Sequence, residues 1–194
     1  VAYSNFSSSN YLQQPVNTDF AGAYDYSFSC WSKTSSTSAY QYLFSVGNPA
    51  SATGVAGVAI RHSDGVLYHY DNTNSSGYST TNIANGVWNH IVVNIKNGVS
   101  REYYVNGVSV YSQSISAHTI ASSPKYTVAL YTGGTLTYHH QGSMALQRFS
   151  KTLPTAEQIA KMYRDEKHLF QENAKATLYG TSDAVTALAY DDDT

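Results

Sequence analysis

The run Asp71-Asn72-Thr73-Asn74 places a carboxylate, two amide carbonyls and a hydroxyl side by side. Such hard oxygen donors suit Ca2+, which gathers about six to eight of them. Asp71 is therefore a candidate metal ligand and calcium the candidate cofactor. The run is not an EF-hand loop, because Thr73 and Ser75 occupy its third and fifth positions. It also reads as a polar turn, the ordinary use of Asn and Asp. Tyr68-His69-Tyr70 leads directly into it. A sugar offers C–H faces on which rings stack, and hydroxyls that polar side chains hydrogen-bond. Tyr131 and Tyr138-His139-His140-Gln141, around Gly133-Gly134, form a second mixture of this kind. The candidate ligand-binding residues are thus Tyr68, Tyr70, Asp71, Asn72, Asn74, Tyr131, Tyr138, His139 and His140. Tyr also favours strands, so part of this set serves the sheet itself. Neighbouring strand residues point to opposite faces, so His139 and His140 would not share one ion.

Hydrolytic chemistry is poorly provided for. A retaining glycosidase needs two carboxyl groups about 5–5.5 Å apart, and an inverting one about 6.5–9.5 Å. Glu102 is the only Glu before residue 157, and no Asp lies within two positions of it. Asp64 and Asp71 could meet only across a hairpin. The chain reads as non-catalytic.

The elements that position these residues are mostly strands. Phe28, Cys30 and Ser32 alternate with Ser29, Trp31 and Lys33. Asp64-Gly65 separates Val55–Arg61 from Val66–Tyr70, a strong hairpin signal. Trp88–Tyr111 reads as a three-stranded meander with turns at Asn97-Gly98 and Asn106-Gly107. Tyr126–Tyr131 and Met144–Phe149 are further strands. Thr34–Ser38 and Asn72–Ser76 read as exposed turns. At Pro154 the period changes. Thr155 and Gln158 have capping-box spacing, and Ile159, Met162, Tyr163, Leu169 and Phe170 recur at helical spacing to about residue 172. Val185–Tyr190 could be a further strand. Trp31, Trp88 and His90 are expected in the core, and Cys30 as a small buried hydrophobe.

Composition limits the partners. Charged residues are 12% of the 194, about half the usual share of about 25%, and net charge is −2. No basic field is present to collect phosphates, so nucleic acid is not an expected partner. No apolar run approaches the ~18 residues of a membrane span. The single cysteine, Cys30, excludes a disulfide scaffold and a cysteine zinc site. Aromatics at 13%, with 18 Tyr, argue for a folded chain. A start at Val1 and an end at Asp193-Thr194 read as a piece of a longer protein.

Gly86-Val87-Trp88-Asn89-His90-Ile91-Val92 followed by Tyr103-Tyr104-Val105-Asn106-Gly107 resembles the signature of laminin-G-like domains of the concanavalin A-like lectin/glucanase superfamily. Tyr26–Lys33 and Gly142–Ala145 through Tyr163 agree with its early strand, closing strand and helix. The resemblance covers roughly residues 3–165. It implies an all-β fold, a two-sheet antiparallel jelly-roll sandwich with one C-terminal α-helix. It also implies ligands on the concave sheet or its rim loops, often with calcium at the rim. Lys161–Thr194 resembles the run that follows such domains in bacteriophage structural and tail-fibre proteins. This implies a virion or extracellular setting, further modules in the parent chain, and a homotrimer on which Leu169 and Phe170 could pack. The expected organisation is a sandwich over 1–153, a packed helix over 154–172, and a linker or following module over 173–194. The expected role is binding a cell-surface glycan or polysaccharide. A purely structural virion module is the alternative, and a glycoside hydrolase the least favoured reading.

Overall fold

The computed structural model describes residues 2–50, 54–74, 76–133 and 136–171. Its strands are β1 (Leu12–Gln13), β2 (Tyr26–Lys33), β3 (Gln41–Gly47), β4 (Ala56–Ile60), β5 (Val66–Asp71) and β6 (Gly77–Asn82), then β7 (Asn89–Lys96), β8 (Ser100–Val105), β9 (Val108–Ser114), β10 (Lys125–Val128) and β11 (Ser143–Ser150). One helix follows, α1 (Ala156–Glu166), extended by a 3-10 turn at Lys167–Phe170. The strands form two antiparallel sheets, a six-stranded one ordered β1-β10-β3-β4-β5-β6 and a five-stranded one ordered β11-β2-β7-β8-β9. This is the jelly-roll sandwich with a C-terminal helix. The segment 173–194, with its expected strand at Val185–Tyr190, lies outside the described residues.

The period of two decides which side chains face inward. Tyr26, Phe28 and Cys30 of β2 point between the sheets, as do Ile91, Val93 and Ile95 of β7. Leu43, Phe44 and Val46 of β3, Val58 and Ile60 of β4, and Leu67 of β5 meet them. Phe28 stacks on Phe44 across the gap, with centroids 4.3 Å apart. The Asp64-Gly65 hairpin joins β4 to β5, and the meander β7-β8-β9 forms as expected. Asn106 (φ 52°) and Gly107 (φ 81°) both take left-handed backbone, which the tight β8–β9 turn requires.

Three strands escape the sequence reading, β1, β3 and β6. A bulge between Tyr42 and Phe44 breaks the alternation of β3, and β6 is polar apart from Tyr78. Thr34 is buried, not exposed; its hydroxyl donates to the carbonyl of Gln141 at 2.7 Å.

The helix covers the outer face of the five-stranded sheet. Thr155 and Gln158 cap it reciprocally, as their spacing predicts. Ile159 is buried against Val92 and Tyr104. Trp31 is buried under this helix and not between the sheets, stacked 4.2 Å from Phe170 and 5.8 Å from Tyr163. Trp88 is only half-buried, 4.8 Å from the Phe170 ring. Phe170 therefore packs within its own chain, while Leu169 is 59% exposed. No helix among the described residues is long and apolar enough to cross a membrane.

Candidate glycan-binding site

The outer face of the six-stranded sheet carries a basin of tyrosines. Tyr40 and Tyr42 come from β3 and its approach, Tyr68 and Tyr70 from β5, and Tyr78 from β6. Tyr131 and Tyr138 come from the segment after β10, and Ser76 completes the lining of a hollow of about 300 Å3. On β5 the alternation that sends Leu67 and His69 inward sends Tyr68 and Tyr70 outward. On β4 the outward positions are Gly57 and Ala59, small enough for rings of both neighbouring strands to lean over them. A Cβ on Gly57 would lie 2.8 Å from the Phe44 carbonyl oxygen and 2.8 Å from the Tyr42 ring.

The rings hold one another in place. Tyr42 lies 4.7 Å from Tyr131, Tyr40 5.3 Å from Tyr68, and Tyr68 5.5 Å from Tyr78. The Tyr68 hydroxyl donates to that of Tyr42 at 3.2 Å. At the rim, Asn72 Nδ2 donates to the Tyr70 hydroxyl at 3.2 Å, and the Arg61 guanidinium sits 4.0 Å over the Tyr78 ring. Burial pushes the Tyr131 hydroxyl up to about 12, and those of Tyr42 and Tyr68 higher still. These hydroxyls therefore stay protonated near neutral pH and can both donate and accept. No carboxylate lines the basin among the described residues.

The loop carrying Tyr131 and Tyr138 folds back over the sheet. Tyr42 N–H donates to the Tyr138 carbonyl at 2.9 Å, and His140 N–H to that of Ala129 at 2.9 Å. Tyr138 has φ 57° and its side chain is 47% exposed. A bulky residue rarely adopts left-handed backbone, and holding one there costs on the order of 1–3 kcal/mol.

The structure divides the nine expected residues. Tyr68, Tyr70, Tyr131 and Tyr138 converge in the basin, with Asn72 at its rim. Asp71 does not: it ends β5 in an inward position and is buried between the sheets. Asp64, in the turn before β5, is at the other end of that strand and pairs with Arg61, so the two carboxylates do not meet. Asn74 turns away to the Ser116 backbone, accepting from its N–H at 2.7 Å and donating to its carbonyl at 2.9 Å. His140 is buried with Nε2 3.3 Å from the Ser32 hydroxyl, and burial lowers it to about 4. His139 and His140 line a separate groove with Asn5, Phe6 and Gln141. Neither lies in a strand. Tyr40, Tyr42 and Tyr78 are the members that the sequence reading missed; the signal was the apolar run Tyr42–Val46, hidden by its bulge.

The calcium expectation meets a donor set that is already committed. Asp71 Oδ1 accepts from the N–H groups of Thr73 and Asn74, at 2.8 and 2.7 Å. Asn72 Oδ1 accepts from Val55 N–H at 2.8 Å, and Asn74 Oδ1 is held by Ser116. These oxygens close turns and leave only Asp71 Oδ2 uncommitted, far short of the about six to eight oxygens that calcium gathers, so the loop does not fit a calcium ion.

A laminin-G-type family model, described as concanavalin A-like lectin/glucanases superfamily, matches residues 6–160. The chain belongs to that superfamily. Its fold is similar to domain 4 of AbnA, a GH43 extracellular arabinanase from Geobacillus stearothermophilus, solved with arabinotriose. That match has TM-score 0.65 and 17% identity over 81% of this chain and 74% of the other. It is also similar to the CBM40 of the Ruminococcus gnavus IT-sialidase bound to alpha2,3 sialyllactose, with TM-score 0.62 and 15% identity over 78% and 98% of the two chains. Mouse laminin alpha1 domains LG4-5 match with TM-score 0.55 and 19% identity over 74% and 39%. No curated protein matches. At these identities the solved structures speak for the superfamily fold alone.

Proposed function

We propose that this superfamily member is a non-catalytic carbohydrate-binding module whose ligand lies in the tyrosine basin. The observation that carries this reading is the convergence of seven tyrosines on one outer sheet face, in a hollow without carboxylates. Rings take the C–H face of a sugar, and protonated phenols serve its hydroxyls. The strained backbone at Tyr138 supports the reading, because such strain persists where a side chain must be held in place. The sialyllactose and arabinotriose complexes of the similar folds are consistent with it. The setting we propose is a virion or extracellular protein, with a cell-surface glycan or polysaccharide as partner. That setting, and a homotrimer, rest on the resemblance of residues 161–194 to phage proteins, most of which lies outside the described residues.

The test is a glycan and bacterial-polysaccharide array, followed by titration of the best ligand with Tyr70→Ala and Tyr138→Ala. Each loses one stacking ring, worth about 0.5–1.5 kcal/mol, so affinity should fall about 2- to 12-fold. The midpoint of unfolding should barely move for Tyr138→Ala, an exposed side chain. Adding calcium should leave affinity unchanged. Wild-type affinity in both variants would place the ligand elsewhere. A blank array would hand the basin to a protein partner, which tyrosines serve equally well.

A further inference from the structure

On the face of β5 opposite the basin, His69 and Asp71 point between the sheets, and His118 reaches the same place from the segment between β9 and β10. Asp71 Oδ2 lies 3.5 Å from His69 Nδ1 and 3.9 Å from His118 Nδ1. One ligand atom from each of the three residues lies within 4.8 Å of the others. Both Nδ1 atoms are buried without a hydrogen-bond partner, and the His69 side chain is wholly buried. Their Nε2 atoms are occupied, both by the Tyr26 hydroxyl, at 2.7 Å for His69 and 3.3 Å for His118.

Proton counting makes this arrangement uncomfortable on its own. Tyr26 has one hydroxyl proton for two rings. If it donates to His69 Nε2, His118 supplies its own Nε2–H to the phenol oxygen. His118 Nδ1 is then a bare lone pair facing a carboxylate oxygen in a buried place. Exchanging the two rings leaves the same conflict at His69. A cation between the three atoms removes the conflict. Both rings then give Nε2–H to the Tyr26 oxygen, whose own O–H gives up its acceptor, and both Nδ1 lone pairs and Asp71 Oδ2 turn to the ion. The N–H groups of Thr73 and Asn74 already hold Asp71 Oδ1, leaving Oδ2 free to ligate, with only the Asn74 amide 3.2 Å away. A hydrogen bond from the other ring nitrogen is the usual companion of a metal-bound histidine.

We infer that His69, Asp71 and His118 form an internal binding site for one first-row divalent transition-metal ion, with Tyr26 orienting both histidines. Two imidazole nitrogens and one carboxylate suit Zn2+ and its neighbours, not Ca2+. Bonds of about 2.0–2.2 Å would draw the three ligand atoms together by a few tenths of an ångström or more. The ion would tie the segment bearing His118 to β5, through the interior and apart from the sugar-binding face.

The experiment strips the purified chain with a chelator and then titrates Zn2+ alone, by calorimetry and thermal melting. One tight equivalent is expected, with a melting temperature raised by about 5–10 °C at a hundredfold excess over Kd. His118→Gln should abolish both, and His62→Gln, which alters an exposed histidine, should abolish neither. No rise in the wild type, or an undiminished rise in His118→Gln, overturns the inference. If His118→Gln fails to fold, Co2+ added to the stripped wild type decides. Visible bands of a low-coordinate nitrogen/oxygen site support it, and the spectrum of aqueous Co2+ overturns it. None of these readouts uses a glycan, so they stand apart from the test of the basin.

Discussion

Gly57 shows how much one residue decides. It lies outward on β4 beneath Tyr42, where a side chain of any size would fill the floor of the basin. Its missing Cβ would be 2.8 Å from a backbone oxygen, which cannot swing aside, and 2.8 Å from the Tyr42 ring. Gly57→Ala should therefore destabilise the fold by about 1–3 kcal/mol, as overpacking does, and tilt Tyr42. Urea unfolding would show a lower midpoint at unchanged slope, and ligand titration a weaker complex. An unchanged midpoint together with unchanged affinity would mean that the floor yields without cost. The site was partly legible at this scale. Tyr68 and Tyr70 could be placed because they sit two apart in a regular strand. The same period puts His69 and Asp71 together on the other face, yet Asp71 reads as a rim residue when taken with the polar run after it. His118 carries no local signal, since only the packed sandwich brings it to Asp71. Tyr42 was obscured by the bulge, which sends it outward while Leu43 and Phe44 both join the core.

Among the elements, the helix was the most legible and its docking the least. Its capping box and apolar stripe are written in local spacing. The two hairpin junctions of β7-β8-β9 were equally local. The long-range pairings β11 with β2, and β10 with β3, bring together segments far apart in the chain, so no local signal carried them. What fastens the helix end is also long-range. Trp31 Nε1 donates to Glu166 Oε2 at 2.7 Å, and Arg148 donates to Glu166 Oε1 at 2.8 Å. Arg148 is half-exposed, so the ion pair contributes little. The indole N–H is different, because the Trp31 side chain is buried and its donor would be left unpaired. Glu166→Ala should cost about 1–3 kcal/mol. It should also shift tryptophan fluorescence to the red as Phe170 loosens from Trp31 and Trp88. A spectrum and midpoint equal to wild type would show that ring stacking alone holds the segment.

For the whole molecule, the sandwich stores its acid sensitivity in buried imidazoles. His90 lies 5.3 Å from the Trp31 ring and has no partner for either ring nitrogen. Burial lowers it to about 4, and His140 likewise. An unfolded chain takes up these protons near pH 6.5. Between about pH 6.5 and 4 the unfolded state thus binds more protons than the folded one, and stability falls as pH falls. Each imidazole contributes a slope of up to about 1.4 kcal/mol per pH unit in that window and little above it. Asp64 acts lower still, because Arg61 beside it holds its carboxyl below the ordinary value. The melting temperature should therefore be flat above pH 7 and decline from about pH 6.5. His90→Phe tests the assignment. The apolar ring gives up no hydrogen bond at that position and cannot be charged. Its melting temperature at pH 7 should match or exceed wild type, and its decline between pH 6 and 4.5 should be shallower by one imidazole's share. An acid limb superimposable on that of wild type would remove His90 from the account and leave the decline to other buried histidines.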